Sequence, residues 1–432
     1  MTVGSSQAIR RFGFGRLGSE PLPDDAPNWL RSQLDAPDPL LSQPGPSVAN
    51  AVLVMRHYKD AQKSGGPLPM GFAELYWQDM SALLQHAATT DLPFRERLVW
   101  FWSNHFTISG RAGNWIFGFS GPYIRDAIRP HVTGRFADML KAVMQHPGML
   151  YYLDNQLSDG PDSPLGIKRH VGFNENLARE CLELHTLGVD GGYTQADVTA
   201  FASILTGRTA NLDGDNPDFV FKAEAHEPGP KHFMGREFPE GFAGSEQALD
   251  FIAAHPATHR HLATQLVRHF IADAPPPSCV DRVAAVLGET DGDLKQAMLA
   301  IADMPEAWQP LTKFRAPAEY IVAVLRALNL PSDQPHQISD ATIDLGQPFM
   351  GPLLPNGWPD TAPDWLSGEA LLKRADWAMT QASRPGAPTA DAVAQATLGD
   401  LCSPSTRDAI KACPNQAEAL ATLFASPEFM RR

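Results

Sequence analysis

Apolar residues recur at three- and four-residue spacing along most of this chain of 432 residues. One such run lies between residues 72 and 86, and another, between 94 and 106, follows a proline suited to a first helical turn. This spacing places apolar side chains on one face of a helix. We therefore predict a mainly α fold, a large irregular multi-helix body with a short β-hairpin excursion.

Other segments with the same spacing extend the prediction along the chain. Helices are predicted over 47–63, 114–129, 134–145, 172–187, 195–206, 245–254, 257–272, 280–288, 292–302, 317–328, 369–381, 388–400 and 415–425. Residues 1–432 are predicted to form one domain, in which the excursion at 211–243 separates two helical halves.

Two segments interrupt the helical pattern. Within 211–243, residues 219–221 and 232–234 flank a Pro/Gly-rich turn, which predicts a hairpin near 218–236. The Gly/Pro/Trp-rich run from 346 to 365 cannot hold a regular helix.

Charge and cysteine content restrict the function. The net charge is −14 and no Lys/Arg cluster is present, which argues against a nucleic-acid partner. The four cysteines lack C-x-x-C spacing, so neither a zinc knuckle nor a redox dithiol is expected, and Cys181 is predicted to be a buried small hydrophobe. With neither a signal peptide nor an apolar membrane span in the sequence, we expect a cytoplasmic protein by default, or one exported with a partner.

A specific run of residues lies at 174–188, Asn-Glu-Asn-Leu-Ala-Arg-Glu-Cys-Leu-Glu-Leu-His-Thr-Leu-Gly. We call it the signature segment, because it resembles the signature of the domain of unknown function 1800 (DUF1800) family. Supporting blocks follow in family order at 11–15, 102–106, 146–150 with 153–155, 226–231, 314–317, 355–359 and 426–429.

The resemblance implies a bacterial, mainly helical protein without an established activity. Family members are often encoded beside phosphatase-like or sulfatase-like proteins that commonly carry export signals. The resemblance thus suggests a co-encoded protein of that kind as a partner.

The signature segment carries two carboxylates on one helical face. Glu180 and Glu183 are three residues apart, a spacing that suits metal binding or proton exchange. The alternative is a structural network in which these carboxylates meet Arg179 and other arginines, such as Arg208. Glu175 and Arg179 are predicted to pair, and Gly188 to stop the helix.

Histidines could complete a metal site with these carboxylates. His185 projects to the apolar side of the helix, and His105 ends an aromatic helix. Two histidines and two carboxylates would suit a divalent Fe, Mn or Zn ion. The alternative for His105 is a hydrogen-bonded core residue.

The remaining histidines lie in a turn and on a later helix. The turn at 226–231 would either cover a cavity and bring His226 to a substrate or metal, or be a surface turn. Histidines 255, 259, 261 and 269 lie close together on one predicted helix and are expected to be solvated or capping residues.

Three further patterns have mainly structural interpretations. Thr194 and Asp197 resemble a capping box. Trp358 and Trp365 are expected to fill gaps between helices, although a glycan could bind if both indoles were exposed. No Gly-x-Ser-x-Gly elbow occurs, which disfavours covalent hydrolysis.

The leading hypothesis is a metal-dependent enzyme of unassigned reaction, with a polar cavity lined by the signature segment. It assigns catalytic roles to Glu180, Glu183, Arg179 and His226, and metal binding to His105, Glu180, Glu183 and His185. The alternative is a non-catalytic protein that binds and stabilises the co-encoded phosphatase-like or sulfatase-like protein.

Overall fold

Helices form most of the structure, as the apolar spacing predicts. In a computed structural model, which describes residues 3–212, 217–330, 335–352 and 354–432, the described residues form 21 α-helices. Two short antiparallel hairpins accompany these helices. The prediction of a mainly α fold is confirmed.

The helices of the first half are α1 (Val3–Arg11), α2 (Ala26–Asp35), α3 (Val48–Ser64), α4 (Gly71–Thr89), α5 (Pro93–His105), α6 (Ser120–Tyr123), α7 (Phe136–Gln145), α8 (Pro147–Tyr152), α9 (Pro164–Arg169), α10 (Asn176–Glu180) and α11 (Gln195–Leu205). The strands are β1 (Arg208–Asn211), β2 (Asp218–Phe221), β3 (Lys231–Phe233) and β4 (Arg236–Phe238). The second half contains α12 (Phe242–Ala253), α13 (Pro256–Phe270), α14 (Pro277–Glu289), α15 (Leu294–Ala302), α16 (Pro317–Leu328), α17 (Pro335–Asp344), α18 (Gly368–Ala382), α19 (Ala390–Thr397), α20 (Pro404–Ala412) and α21 (Gln416–Phe424).

Two helices lie deepest in the core. Every residue of α16 is buried, including the charged Glu319 and Arg326. Most of α5 is also buried, including Glu96, and a buried carboxylate needs a charged partner. Two nitrogens of Arg129 supply it, at 2.7 and 3.0 Å from the Glu96 carboxylate oxygens. These helices therefore provide fixed positions for polar side chains inside the protein.

Buried arginines attach the segment after α1 to this core. The backbone carbonyls of residues 13, 14 and 15 accept hydrogen bonds from Arg97 (2.7 Å), Arg315 (3.4 Å) and Arg326 (2.8 Å), respectively. Buried carbonyls outside a helix need such donors. This part of the 11–15 block is therefore held by side chains of α5 and α16 and of the residues just before α16.

The strands pair differently from the prediction. Residues 208–211 pair with 218–221, and 231–233 pair with 236–238. A single hairpin pairing 219–221 with 232–234 is therefore wrong. Pro228 and Pro230 lack the N–H groups that a ladder needs, whereas Met234 and Gly235 have positive φ angles of 47° and 74° and close a tight turn locally.

The signature segment is less regular than a single helix over 172–187. It forms α10 followed by a π-helical turn, Cys181–His185. The Thr186 hydroxyl donates to the Cys181 carbonyl at 2.7 Å, so a side chain satisfies part of the helix end. Gly188 has a φ of 82°, which confirms the predicted stop.

Several smaller predictions are confirmed. Thr194 and Asp197 form the reciprocal capping box of α11, and all four cysteines are free, with Cys181 fully buried. Within 346–365, a 3-10 turn at Ala362–Asp364 is the one helical element among the described residues. No helix in the described part of the chain has the length and apolarity needed to span a membrane.

Candidate active site

Glu180 and Glu183 of the signature segment are half-buried, and neither lines the main cavity described below. Arg179 donates to Glu175 at 2.9 Å, as predicted, and to Gln195 at 3.0 Å. This pair is partly solvent-exposed, so it contributes little to stability. The catalytic and metal-binding roles of Glu180, Glu183 and Arg179 stay predictions.

Arg208, which the network interpretation placed near these glutamates, is fully buried. It donates to the Glu246 carboxylate and to the Ser245 hydroxyl, each at 2.8 Å. The charge of Arg208 is thereby matched by a carboxylate of α12.

The structure brings His105 and His185 together at the end of the signature segment, with ring centroids 5.9 Å apart. Nε2 of His105 lies 3.0 Å from the His185 carbonyl, and Nε2 of His261 lies 2.9 Å from the Leu184 carbonyl. Because a carbonyl only accepts, both rings carry their proton on Nε2. Two histidines thus cap the last carbonyls of the π-turn.

Burial governs the charge state of these rings. It lowers the pKa of His185 to about 3, with a smaller contribution from His261. It also lowers the pKa of His105 well below its ordinary value, with further contributions from His185 and His261. Both ring nitrogens of His185 lack a hydrogen-bond partner among the described atoms. These histidines are therefore neutral at pH 7.

His226 lies apart from this histidine cluster and does not line the cavity. It is buried, with Nδ1 at 2.8 Å from the Thr206 carbonyl and Nε2 accepting from the Gly241 N–H at 3.0 Å. Lys231 approaches the same Nε2 at 3.1 Å. His226 therefore joins the ends of the segment 206–241, and it is buried rather than part of a surface turn.

The main cavity has a volume of about 490 Å³, which is in the range of small-molecule sites. Its walls are α5 and α13, its floor is the start of α16, and irregular residues of 347–352 and 354–361 cover it. Helix α13 contributes His261, Gln265, Arg268 and His269, whose spacing places them on one helical face. The signature segment contributes Leu184.

A histidine–aspartate pair lies in this cavity. Nδ1 of His269 is 2.6 Å from Oδ2 of Asp360, a short, charge-assisted hydrogen bond. Asp360 also lies 3.3 Å from the Lys313 ammonium and 3.4 Å from the Arg432 guanidinium. Although burial by itself raises the pKa of Asp360, these three groups hold it well below its usual range.

Asp360 fixes the tautomer of His269. An ionised carboxylate accepts a proton from Nδ1, which leaves the lone pair on Nε2. The nearest donor to Nε2 is Nη1 of Arg97, at 3.5 Å, the limit of a hydrogen bond. Burial lowers the pKa of His269 to about 4, although Asp360 raises it. The imidazole is therefore neutral at pH 7 and can accept a proton at Nε2.

Glu319, at the start of α16, is the second paired carboxylate in the cavity floor. It accepts a hydrogen bond from Nε of Arg432 at 2.7 Å and a short hydrogen bond from Arg97. Although burial opposes ionisation, Arg432 and Arg97 lower the pKa of Glu319 to about 2. Asp360 and Glu319 are thus both ionised and held by basic side chains.

The covering segment is attached to α5 by one side chain. The Asn104 side-chain amide donates from Nδ2 to the Trp358 backbone carbonyl at 2.9 Å, and its Oδ1 accepts from the Trp358 backbone N–H at 2.7 Å. Gly357 has a φ of 74°, and a Cβ there would lie 2.4 Å from the Asn104 backbone oxygen. Only glycine allows this close approach.

The two indoles of the covering segment pack together, with ring centroids 6.0 Å apart. Each indole N–H donates to a backbone carbonyl, of Pro348 at 3.0 Å for Trp358 and of Pro359 at 3.1 Å for Trp365. Trp365 is 8% exposed, so the condition for glycan binding, two exposed indoles, is not met. Trp358 lines the main cavity, and the gap-filling role of the two indoles stays a prediction.

The sequence interpretation missed His269 and Asp360 as site residues. His255 caps α13 by accepting the Ala257 N–H at 3.1 Å, as expected. His261 and His269 both line the cavity. His261 also caps the Leu184 carbonyl, so the expectation of solvated or capping residues is wrong for His269 and not for His261. One sequence feature could have indicated both histidines, namely the polar residues of α13 at three- and four-residue spacing. That spacing alone does not show whether the polar face meets solvent or a cavity.

Among the described residues, no group of three or more His, Cys, Asp or Glu side chains is arranged to hold a metal ion. The structure does bring His105 and His185 together, but Glu180 and Glu183 do not join them in such a group. The metal site stays a prediction.

Fold and site together define a mainly α-helical protein with a cavity of small-molecule size and a floor of paired charges. A family model described as "Protein of unknown function (DUF1800)" matches residues 7–431, and the chain belongs to this family. Neither a curated protein nor a solved structure matches the chain. Residues from the signature segment and from the blocks at 11–15, 102–106, 314–317 and 355–359 meet at the cavity.

Proposed function

We propose that this protein is an enzyme that moves a proton to or from a small molecule bound in the main cavity. His269 is the acid/base residue, and Asp360 is the group that orients it and stabilises its charged form. The observation that carries the proposal is the 2.6 Å contact between Nδ1 of His269 and Oδ2 of Asp360 inside a cavity of about 490 Å³.

The charge states of the pair support proton transfer. Asp360 is ionised, and His269 is neutral with its lone pair on Nε2. When Nε2 takes a proton from the substrate, the imidazolium that forms lies against the Asp360 carboxylate. A pKa of about 4 makes His269 a weak base in the empty cavity, so positioning of the substrate has to supply much of the rate enhancement.

The cavity walls favour proton transfer over covalent catalysis by serine or cysteine. Among the described residues that line the cavity, there is neither a serine nor a cysteine. This agrees with the absence of a nucleophile elbow in the sequence.

The convergence of family blocks on the cavity also supports this site. Five segments that carry the resemblance are distant in sequence, and each contributes at least one side chain to the cavity wall. The hypotheses of a metal-dependent reaction and of a co-encoded phosphatase-like or sulfatase-like partner stay predictions. Elemental analysis tests the first, and co-purification tests the second.

The proposal is tested by incubating the purified protein with a fractionated metabolite extract and following compounds by mass spectrometry. A compound should be converted by the wild type and not by His269→Gln. His232→Gln is the matched control, because His232 is exposed and pairs with Glu237 on the surface. Conversion that survives in a folded His269→Gln variant, or no conversion by the wild type, would refute the proposal.

A further inference from the structure

We propose that the substrate of this cavity is a monocarboxylate with a flat apolar body, and that Arg268 binds its carboxylate. This inference rests on the proposed function and names the substrate class of the same site. Two independent features carry it, the charge balance of the cavity and its aromatic wall.

The three carboxylates that line the cavity all have cationic partners within the protein. Glu319 pairs with Arg97 and Arg432, and Asp360 pairs with Lys313 and Arg432. Asp273 lies 2.6 Å from the same lysine ammonium. A cationic substrate would therefore find no carboxylate without a partner here.

Arg268 is different from the other cations of the cavity. Its Nη1 donates to the neighbouring Gln265 side chain at 3.2 Å, and no carboxylate of the described residues forms an ion pair with it. Arg315 also donates only to backbone carbonyls among its described hydrogen bonds, but it does not line the cavity. Arg268 thus leaves one positive charge in excess among the described residues that line the cavity and their ion-pair partners, and an anionic ligand would neutralise it.

A single negative charge fits this excess better than a phosphate dianion. One guanidinium beside one amide side chain, Gln265, offers the donors that a carboxylate needs. The histidines that line the cavity add no positive charge at pH 7, because burial lowers the pKa of each.

Much of the cavity wall is aromatic. Five rings line the cavity, those of Phe14, Trp100, Phe101, Phe349 and Trp358. Such walls bind flat apolar groups by burial and stacking.

The position of Arg268 also connects binding to chemistry. Arg268 and His269 are consecutive on α13 and both line the cavity. A carboxylate held by Arg268 therefore keeps the atoms beside it near the imidazole. Binding energy at the anion would then orient the substrate for proton transfer.

The test compares 2-naphthoate with 2-naphthamide, which have the same shape and differ in charge, by titration calorimetry. We expect wild-type protein to bind the carboxylate at least about tenfold more tightly, the effect of one charge-assisted hydrogen bond. Arg268→Gln should remove this preference, and Arg268→Lys should restore part of it. Arg260→Gln is the control, since Arg260 lies on the same helix and pairs with Asp281 at the surface.

Equal binding of the two compounds, or no binding of either, would overturn the inference, as would an unchanged preference in a folded Arg268→Gln variant. His269→Gln separates the inference from the proposed function. If His269→Gln abolishes turnover, but the preference for naphthoate over naphthamide does not depend on Arg268, only the substrate class fails. If the His269→Gln variant still turns over substrate, but Arg268→Gln no longer binds naphthoate, the acid/base role fails and the binding site stands.

Discussion

Nδ1 of His269 lies 2.6 Å from Oδ2 of Asp360, although 91 positions separate the two residues in the chain. The first residue belongs to α13 and the second to the irregular segment that covers the cavity. Their contact, together with Lys313 and Arg432, fixes that segment over the cavity floor. The same contact sets the tautomer of the imidazole, so it joins architecture to chemistry.

Replacing Asp360 tests this double role. Asp360→Asn leaves Lys313 and Arg432 with one carboxylate fewer, and we expect a loss of about 2–3 kcal/mol in the free energy of unfolding. The pKa of His269 should fall further, because Asp360 raises it. Urea denaturation and NMR titration of the imidazole measure these effects. Asp281→Asn, in an exposed ion pair, should cost less than about 1 kcal/mol, and equal stability of both variants would contradict the prediction.

Glu319 should make stability depend on acid in a defined range. Its pKa is lowered to about 2 in the folded protein, so its stabilising contribution is complete above the unfolded pKa of about 4.5 and is lost as pH falls towards 2. Glu319→Gln should lower the unfolding free energy by about 3 kcal/mol at pH 7. Chemical denaturation at several pH values should show this difference shrinking below pH 4.5. A difference that stays constant with pH would show that Glu319 is not ionised in the fold.

His185 should make the free energy of unfolding depend on pH in a higher range than Glu319 does. Its folded pKa, about 3, lies below its unfolded value of about 6.5, so between these values the unfolded chain binds more protons. Stability then falls on acidification, by up to about 1.4 kcal/mol per pH unit for this group. His185→Leu should remove that slope and leave stability at pH 7 nearly unchanged, because it removes a buried imidazole without hydrogen-bond partners. Parallel denaturation curves from pH 7 to pH 4 for both proteins would contradict this.

Gly357 is predicted to be essential for the position of the covering segment. Gly357→Ala places a methyl group 2.4 Å from the Asn104 backbone oxygen at a φ of 74°, and we expect it to cost about 2 kcal/mol or more. Gly346→Ala is the control, since it has a φ of 87° but no atom within 4 Å, and should cost about 1 kcal/mol. Thermal unfolding with tryptophan fluorescence measures both. A Gly357→Ala variant no less stable than Gly346→Ala would show that the contact with Asn104 is dispensable.

The metal hypothesis has its own measurement. Elemental analysis of the untagged protein should find near-stoichiometric divalent metal if His105, His185, Glu180 and Glu183 bind it, and both Glu180→Ala and His105→Ala should remove it. Arg179→Ala is a useful comparison, because its charge is paired with Glu175 and it is not a predicted ligand. A metal-free wild type, with both variants still folded, would refute the metal site.

Local patterns predicted much of the fold. The capping box at Thr194 and Asp197, the pair Glu175–Arg179 and the stop at Gly188 all depend on residues within five positions of each other. Such interactions are encoded by spacing alone. The predicted pairing of 219–221 with 232–234 is wrong, because 219–221 pairs with 208–210 instead and 231–233 pairs with 236–238. The spacing of apolar residues is similar for both pairings. The prolines at 228 and 230 and the tight turn at 234–235 decide which backbone N–H groups can pair.

The candidate site could be predicted only in part, because its residues are distant from each other in the sequence. The sequence indicated His105 and His185, which do come together. It gave no reason to place His269 beside Asp360 or Glu319 between Arg97 and Arg432, because no spacing rule relates positions on α13, α5, α16 and the chain terminus. Burial lowers the pKa of His269, and burial follows from packing rather than from neighbours in sequence.

The sequence by itself determined the family, the mainly helical character and the local features that start and stop individual helices. These depend on side-chain periodicity and on hydrogen bonds within one or two turns of the chain. Only the tertiary structure decided which polar helix faces line a cavity, which carboxylates pair with the same basic side chains and which histidine donates a hydrogen bond to an aspartate. Those relations are set by the docking of distant helices, since a polar stripe has the same sequence pattern whether it meets solvent or a buried floor of charges.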